Sequence, residues 1–165
     1  DTALGMKYNY SIEELWLSPN NYLMMAENLK NGLAEYITNP YLVEEINDKY
    51  KDLEYEISKL DADLTEAITK EKYGLKVISL EENKDLTTNK IEEVKNLIKE
   101  KQIKYIYSTT SKTNNTVKEL IDNNSLEQIS MNTMHSTDGN ITNSNDNYLT
   151  IMTNNINELK KELYK

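Results

Sequence analysis

The sequence predicts an α/β fold in which one long helix precedes a small parallel sheet. Apolar residues recur every three or four positions from 41 to 68, with no glycine or proline among them. Beyond position 73, short apolar segments alternate with helical periods, an order typical of parallel strands joined by helical crossovers. The chain has 165 residues, which is the length of one ordinary domain.

The first predicted helix begins at a capping pair. Residues 1–17 show no strong period, but Ser18 and Pro19 are the residue types preferred at the N-cap and at the first helical position. Apolar residues then follow at helical spacing to about Ile37, and the pair Asn39 and Pro40 predicts a break. We therefore predict a helix from Pro19 to about Ile37.

The second predicted helix carries the most regular pattern in the chain. Its apolar residues step by 4, 3, 4, 3 and 4 positions through Ile46, Tyr50, Leu53, Ile57, Leu60 and Leu64. At about 1.5 Å per residue, a helix over 41–68 is about 40 Å long. The spacing is also that of a coiled coil, but only about three heptads are present. We favour a helix packed along its own protein and keep the coiled coil as the alternative.

The remaining residues alternate between strand and helix patterns. Strands are predicted at 77–80, 103–107 and 128–131. One helix is predicted to start at Thr87 or Thr88, a second to run from Thr113 to about Ile121, and a third to run from about Asn145 to Leu163. A polar loop is predicted over 132–145. This order predicts a parallel sheet with right-handed crossovers.

Composition excludes several classes of protein. There are 19 basic and 28 acidic residues, for a net charge of −9, and every basic residue is lysine. Nucleic-acid binding relies on a basic face and on arginine forks, so no nucleic-acid partner is expected. The absence of cysteine excludes disulfides and thiolate metal sites, and the single histidine, His135, excludes a three-histidine site.

Several segments together resemble one family. IEELWLSP (12–19) and NNYLMMAENL (20–29) resemble a motif and its helix in the zinc/manganese solute-binding proteins of bacterial ABC transporters. KYGLKVISL (72–80), IKEKQIKYIY (98–107) and the closing loop and final helix (131–165) resemble later segments of that family. The matches follow one another in family order.

The resemblance implies two α/β lobes joined by a rigid helix, with a metal ion in the cleft between them. It assigns 1–38 to an entry segment and first helix, 39–70 to the long connecting helix, and 71–165 to the carboxy-terminal α/β lobe. The first lobe is not in this chain, and the strand that follows the long helix in the family is also missing. Either the protein is a shortened member of the family or this chain is part of a larger protein. We favour the second, because removing a central strand would leave a sheet edge and apolar surface uncovered.

The resemblance also implies where metal ligands fall. Glu14 takes the position of the first histidine, Asp146 matches the final aspartate, and Thr109 occupies a position where a carboxylate is expected. His135, in the polar loop, is a further candidate. This set predicts at most weak binding of a divalent metal, zinc or manganese, and no other cofactor. The alternatives are a solvated Glu14, a helix-capping Asp146 and a surface His135.

The implied function is that of an extracytoplasmic solute-binding component that delivers a metal ion to an ABC transporter permease. Such proteins are held at the membrane by a lipid on a residue that would precede this chain, and they are not enzymes. The alternative is a non-catalytic structural or interaction protein derived from the same fold. An enzyme using His135 with Asp138 or Asp146 is the least favoured hypothesis, because the chain has no nucleophile elbow and no phosphate-binding loop.

Overall fold

A computed structural model describes residues 12–69, 78, 80, 86–109, 113–134 and 146–164. The described elements are a short 3₁₀ helix (Ile12–Leu17), α1 (Pro19–Tyr36), α2 (Pro40–Thr69), α3 (Thr88–Lys101), β1 (Tyr105–Ser108), α4 (Asn115–Asn124), β2 (Glu127–Ser130) and α5 (Tyr148–Leu163). The chain divides into two compact units, residues 1–63 and 64–165, and each is described by itself. In these described ranges, no helix is both long enough and apolar enough to cross a membrane.

Helix α1 confirms the first predicted helix. The Ser18 side chain accepts the Asn21 N–H at 3.5 Å, and Pro19 stands at the first helical position. The helix ends at Tyr36, where the next residue, Ile37, donates its N–H to the Leu33 carbonyl. The preceding 3₁₀ helix was not predicted, because six residues are too few to show a helical period.

Helix α2 confirms the long unbroken helix. Pro40 occupies its first position, and the Asn39 side chain accepts the Tyr41 N–H at 3.0 Å. Within the predicted apolar ladder, Ile57 is 1% exposed and Leu60 is 5% exposed. Because the chain itself buries these residues, the helix needs no coiled-coil partner to cover them.

Helices α3 and α4 end in the same way. Gln102 and Ser125 both adopt the left-handed conformation, with φ of 51° and 53°, and each donates its N–H to the carbonyl four residues earlier. This geometry closes the helix end and turns the chain into the following strand. Helix α4 extends three residues beyond the predicted end at Ile121, because this turn, which contains no glycine, leaves no clear stop signal in the sequence.

The two strands form a parallel pair, with Tyr105 opposite Glu127 and Ser108 opposite Ser130. The Glu127 N–H donates to the Lys104 carbonyl and the Met131 N–H to the Ser108 carbonyl, each at 2.8 Å. The strands predicted at 103–107 and 128–131 are confirmed with shifts of one or two residues. The strand predicted at 77–80 lies outside the described residues, apart from Ile78 and Leu80.

One core cluster of the second unit is built mainly from helices α3 and α4. Its buried residues are Val94, Ile98, Leu120 and Leu126, and Ile78 and Leu80 pack against it. Val94 and Ile98 are one turn apart on α3, so one face of this helix is turned towards the core.

Helix α5 runs antiparallel to the strands. The Glu162 carboxylate, near its end, accepts the N–H groups of Lys104 and Tyr105 at 3.0 and 3.2 Å, at the start of β1. Further along the strand, the Tyr107 hydroxyl donates to the Glu158 carbonyl at 3.0 Å. The amino end of α5 therefore lies towards the carboxyl edge of the sheet.

Candidate functional site

The candidate site lies at the carboxyl edge of the two-stranded sheet. Ser108 and Ser130 are in register at the ends of their strands, so Thr109 and the segment 131–134 leave the sheet at the same edge. Helix α5 begins towards that edge as well. In open α/β sheets, ligands bind outside the carboxyl ends of the strands, so this edge is where a ligand is expected.

An open groove of about 460 Å³ runs along this part of the second unit. Strand β2 forms one wall and α5 the other, and Asn132 and Asp146 also line it. The α5 wall contributes polar side chains, among them Asn154, Asn155 and Glu158. The groove is therefore suited to a polar or charged ligand.

Asp146, the predicted final ligand, is half-buried in this groove. It precedes Asn147, whose side chain accepts the Thr150 N–H at 3.0 Å while the Thr150 hydroxyl accepts the Asn147 N–H at 2.9 Å. In this capping box the Asn147 and Thr150 side chains accept two backbone N–H groups at the start of α5. The N-cap of α5 is therefore Asn147, and Asp146 lies one residue before it, next to the amino end of the helix.

The segment after β2 is held against α5 by a pair of hydrogen bonds. The buried Asn155 side chain donates to the Asn132 carbonyl at 2.8 Å and accepts the Asn132 N–H at 3.0 Å. The Asn132 side chain in turn accepts the Met134 N–H at 2.8 Å, and Met134 adopts the left-handed conformation with φ of 58°. The sequence analysis did not select Asn155. Its place next to the apolar residue Ile156 could have marked it as a polar residue near the buried side of the helix.

The other predicted site residues are placed as follows. Thr109 is exposed in a bend directly after β1, which is the predicted position. Glu14 belongs to the 3₁₀ helix of the first unit, and its side chain lies outside the described part of the chain. His135 also lies outside it. Among the residues that the structure describes, no three acidic or histidine side chains are grouped as a metal site.

Tyr107 connects the sheet to α5 and has an unusual electrostatic environment. Burial, together with the negative charge of Glu162, raises the pKa of Tyr107 to about 12. A phenol with a raised pKa in the folded protein stabilises the fold while it is protonated. Its contribution is present below the ordinary tyrosine pKa of about 10 and is lost as the pH rises towards 12.

Replacing Tyr107 by phenylalanine is expected to lower the free energy of unfolding by about 1 kcal/mol at neutral pH, because the hydrogen bond to Glu158 is lost. Between pH 9 and pH 11 the variant should lose less stability than the parent protein, because it has no phenol to ionise at this position. Urea denaturation at both pH values measures the difference. Tyr55→Phe, at a position that is 69% exposed, is the control at neutral pH and should change stability by less than about 0.5 kcal/mol. A constant difference between Tyr107→Phe and the parent at both pH values would contradict the prediction.

A comparison with family models finds one that covers most of the chain. The model described as "ZnuA: Zinc-uptake complex component A periplasmic" matches residues 13–162. This range includes helices α1 to α4, both strands and all of α5 except its last residue, Leu163. No curated protein matches the sequence.

Solved structures show the same fold. The Zn(II)-bound ZnuA-like domain of AdcA from Streptococcus pneumoniae is 19% identical with a TM-score of 0.65, and the alignment covers 100% of this chain and 70% of that one. Zn(II)-bound AdcA itself is 20% identical with a TM-score of 0.61, over 92% of this chain and 37% of that one. The metal-dependent lipoprotein YcdH from Bacillus subtilis is 17% identical with a TM-score of 0.69, over 99% of this chain and 68% of that one. The chain therefore spans only part of each of these proteins.

Proposed function

Because the chain belongs to the ZnuA family of periplasmic zinc-uptake components, we propose that it binds a divalent metal ion and delivers it to an ABC transporter permease. The family match confirms the resemblance to zinc/manganese solute-binding proteins that was predicted from the motifs. We also propose that the protein acts outside the cytoplasmic membrane, that a lipid anchors it there, and that it catalyses no reaction. The proposal also keeps the division into segments 1–38, 39–70 and 71–165.

The observation that supports metal binding most directly is the position of Asp146. Its half-buried carboxylate lines a polar groove between β2 and α5, it precedes the helix end that lies towards the carboxyl edge of the sheet, and the capping of α5 does not require it. Carboxylate oxygen is a ligand for zinc, manganese and harder cations. Asp146 is therefore proposed as a metal ligand.

The proposed site is altered, and its affinity for zinc is low. Tight zinc sites use imidazole or thiolate donors, and this chain has one histidine and no cysteine. Thr109 places a neutral hydroxyl where a carboxylate is expected, which removes one negative charge. Glu14 and His135 remain candidate ligands, and each is tested by its own substitution.

Calorimetric titration of metal-stripped protein with Zn²⁺ and with Mn²⁺ tests the proposal. We expect dissociation constants in the micromolar range or weaker, because the donors are few and mostly oxygen. Asp146→Ala should weaken binding further, whereas Asp122→Ala, which removes an exposed acid from α4, should not. Glu14→Gln and His135→Gln show whether these residues contribute.

Two results would contradict the proposal in different ways. Nanomolar zinc affinity that is abolished by Asp146→Ala would show an ordinary high-affinity site in place of an altered one. No binding of either metal at millimolar concentration would exclude metal carriage and favour the alternative function.

That alternative, an interaction protein, has its own supporting observation on α1. Met25, Leu29, Leu33 and Tyr36 recur on one face of this helix and are between 42% and 85% exposed. Exposed apolar surface of this kind is typical of a contact surface. An interaction protein would retain this surface and show no specific metal binding, so the same titration separates the two functions.

A further inference from the structure

Helix α1 carries exposed apolar side chains along one face. They belong to Met25, Leu29, Leu33 and Tyr36, which recur at steps of three and four residues. We call these four side chains the α1 stripe. A soluble protein rarely leaves a contiguous apolar surface of this kind uncovered, so the stripe is a candidate contact surface.

Gly32 leaves a gap within the stripe. Met25, Leu29, Gly32 and Tyr36 follow one another at steps of four, three and four residues, which is the spacing of the seam between two packed helices. A Cβ atom added at Gly32 would meet no atom of the described residues within 4 Å. Glycine destabilises a helix interior, so its place in this seam points to close approach by a side chain from outside the helix.

The stripe complements a second copy of itself when the two helices run antiparallel. A twofold axis between Leu29 and Gly32 places Leu29 of one copy at the gap left by Gly32 of the partner subunit, and the reverse. The same axis places Met25 opposite Tyr36 of the partner subunit, which is a favourable sulfur–aromatic pair. A parallel arrangement would set the two glycines together and leave the gap unfilled. The antiparallel arrangement is therefore the one that fits.

The charged residues of α1 do not oppose this contact. Helix α1 has three of them, Glu27, Lys30 and Glu35. The Lys30 ammonium lies 4.5 Å from the centre of the Tyr50 ring on α2, and the helical period places Glu27 and Glu35 off the stripe. Pairing two stripes therefore buries apolar side chains without burying a charge.

The stripe has enough area for a modest dimer. The exposed fractions of its four side chains correspond to roughly 500 Å² per copy, so a pair buries about 1,000 Å², the lower limit for a specific interface. Tyr41 and Leu42, which are exposed in the first turn of α2, extend the apolar surface beyond the end of α1. Interfaces of this size are typical of weak, concentration-dependent association.

We propose that two copies of this protein associate through antiparallel α1 helices, with Leu29 of each copy packed at Gly32 of the other. A second copy is the occupant because a twofold contact requires one surface that complements itself, and the alternation of Leu29 with Gly32 provides it. The inference does not rest on the proposed metal binding, since the stripe lies in the first unit and the polar groove lies in the second.

Sedimentation equilibrium of the full chain, from micromolar to millimolar concentration, tests the inference. The average mass should rise from that of one chain to that of two. Leu29→Gln should raise the dissociation constant of the dimer by more than about tenfold, because both copies lose an apolar side chain from the contact. Tyr55→Gln is the matched control. Tyr55 is 69% exposed and Leu29 is 65% exposed, but Tyr55 lies on α2 outside the stripe, so the dissociation constant should not change.

Gly32→Ala separates a contact at this position from a purely local effect. Alanine favours a helix more than glycine does, so the urea midpoint of the dilute, single chain should rise. The added methyl group occupies the gap that receives Leu29 of the partner subunit, so the dissociation constant of the dimer should rise as well. A stabilised chain that associates as tightly as the parent protein would contradict the contact at Gly32.

Other results would overturn the inference as a whole. A mass of one chain at every concentration would show that the stripe does not bind a second copy, and a dimer that Leu29→Gln leaves unchanged would show that association uses another surface. Tyr36 supplies an independent measurement, because its exposed side chain should react with a phenol-specific reagent in the dilute chain and be protected in the dimer. Protection in the dilute chain would show that another segment of the same protein covers the stripe instead.

Discussion

Replacing Ile57 by alanine is expected to lower the free energy of unfolding by about 2–5 kcal/mol. Ile57 is 1% exposed, and it is the largest fully buried side chain among the described residues. Alanine removes its buried methyl and methylene groups and leaves a cavity, because close-packed surroundings relax only in part.

Urea denaturation of both proteins measures this effect as a shift of the midpoint at constant slope. Tyr55→Ala is the matched control, because Tyr55 lies on the same helix but is 69% exposed, and it should change stability by less than about 0.5 kcal/mol. The loss for Ile57→Ala should not depend on protein concentration. A loss that appears only where the chain self-associates would support the coiled-coil alternative for this helix.

Replacing Glu162 by alanine is expected to lower the free energy of unfolding by about 2 kcal/mol. The Glu162 carboxylate accepts two backbone N–H groups, from Lys104 and Tyr105, at the point where β1 begins. Hydrogen bonds to a charged group are stronger than neutral ones, and their removal leaves both donors without this acceptor. The Lys104 bond is exposed to water, which keeps the expected loss below the sum of two buried bonds.

The control lies one turn earlier on the same helix. Glu158→Gln removes the ion pair with Lys161, which is partly exposed, and should cost less than about 1 kcal/mol. Urea denaturation compares the two variants, and amide exchange at Tyr105 reports the loss of the specific hydrogen bond. Equal losses for Glu158→Gln and Glu162→Ala would contradict a special role for the Glu162 contact.

Local features of the sequence were enough to predict most of the secondary structure. Ser18 and Pro19 mark the start of α1, because capping depends on residues within one helical turn. The ladder through Ile57 and Leu60 predicted α2, because the helical period places these side chains on one face. The alternation of strands and helices predicted the parallel pairing of β1 and β2, since a helix between two strands favours a parallel crossover.

The metal-ligand roles assigned to Asp146 and the other candidate residues stay predictions, and the structure gives only their places in the chain. The resemblance of the last 35 residues to the family placed Asp146 close to the start of α5, and the structure finds it there, in a polar groove. Thr109 follows β1 as predicted. Asn147 is the N-cap of α5 where Asp146 was considered, and Thr150 completes the capping box. Both Asp and Asn are suitable N-cap residues, so the sequence alone does not decide which of two adjacent candidates takes the position.

The contacts that shape the site required the tertiary structure. Asn155 meets Asn132 across 23 residues of sequence, and Glu162 meets Lys104 across 58. Neither pairing has a periodic or capping signature, because each depends on how α5 packs against the sheet. Periodicity records which face of an element is apolar, whereas the partner of a polar side chain on that face is decided only when distant segments are brought together.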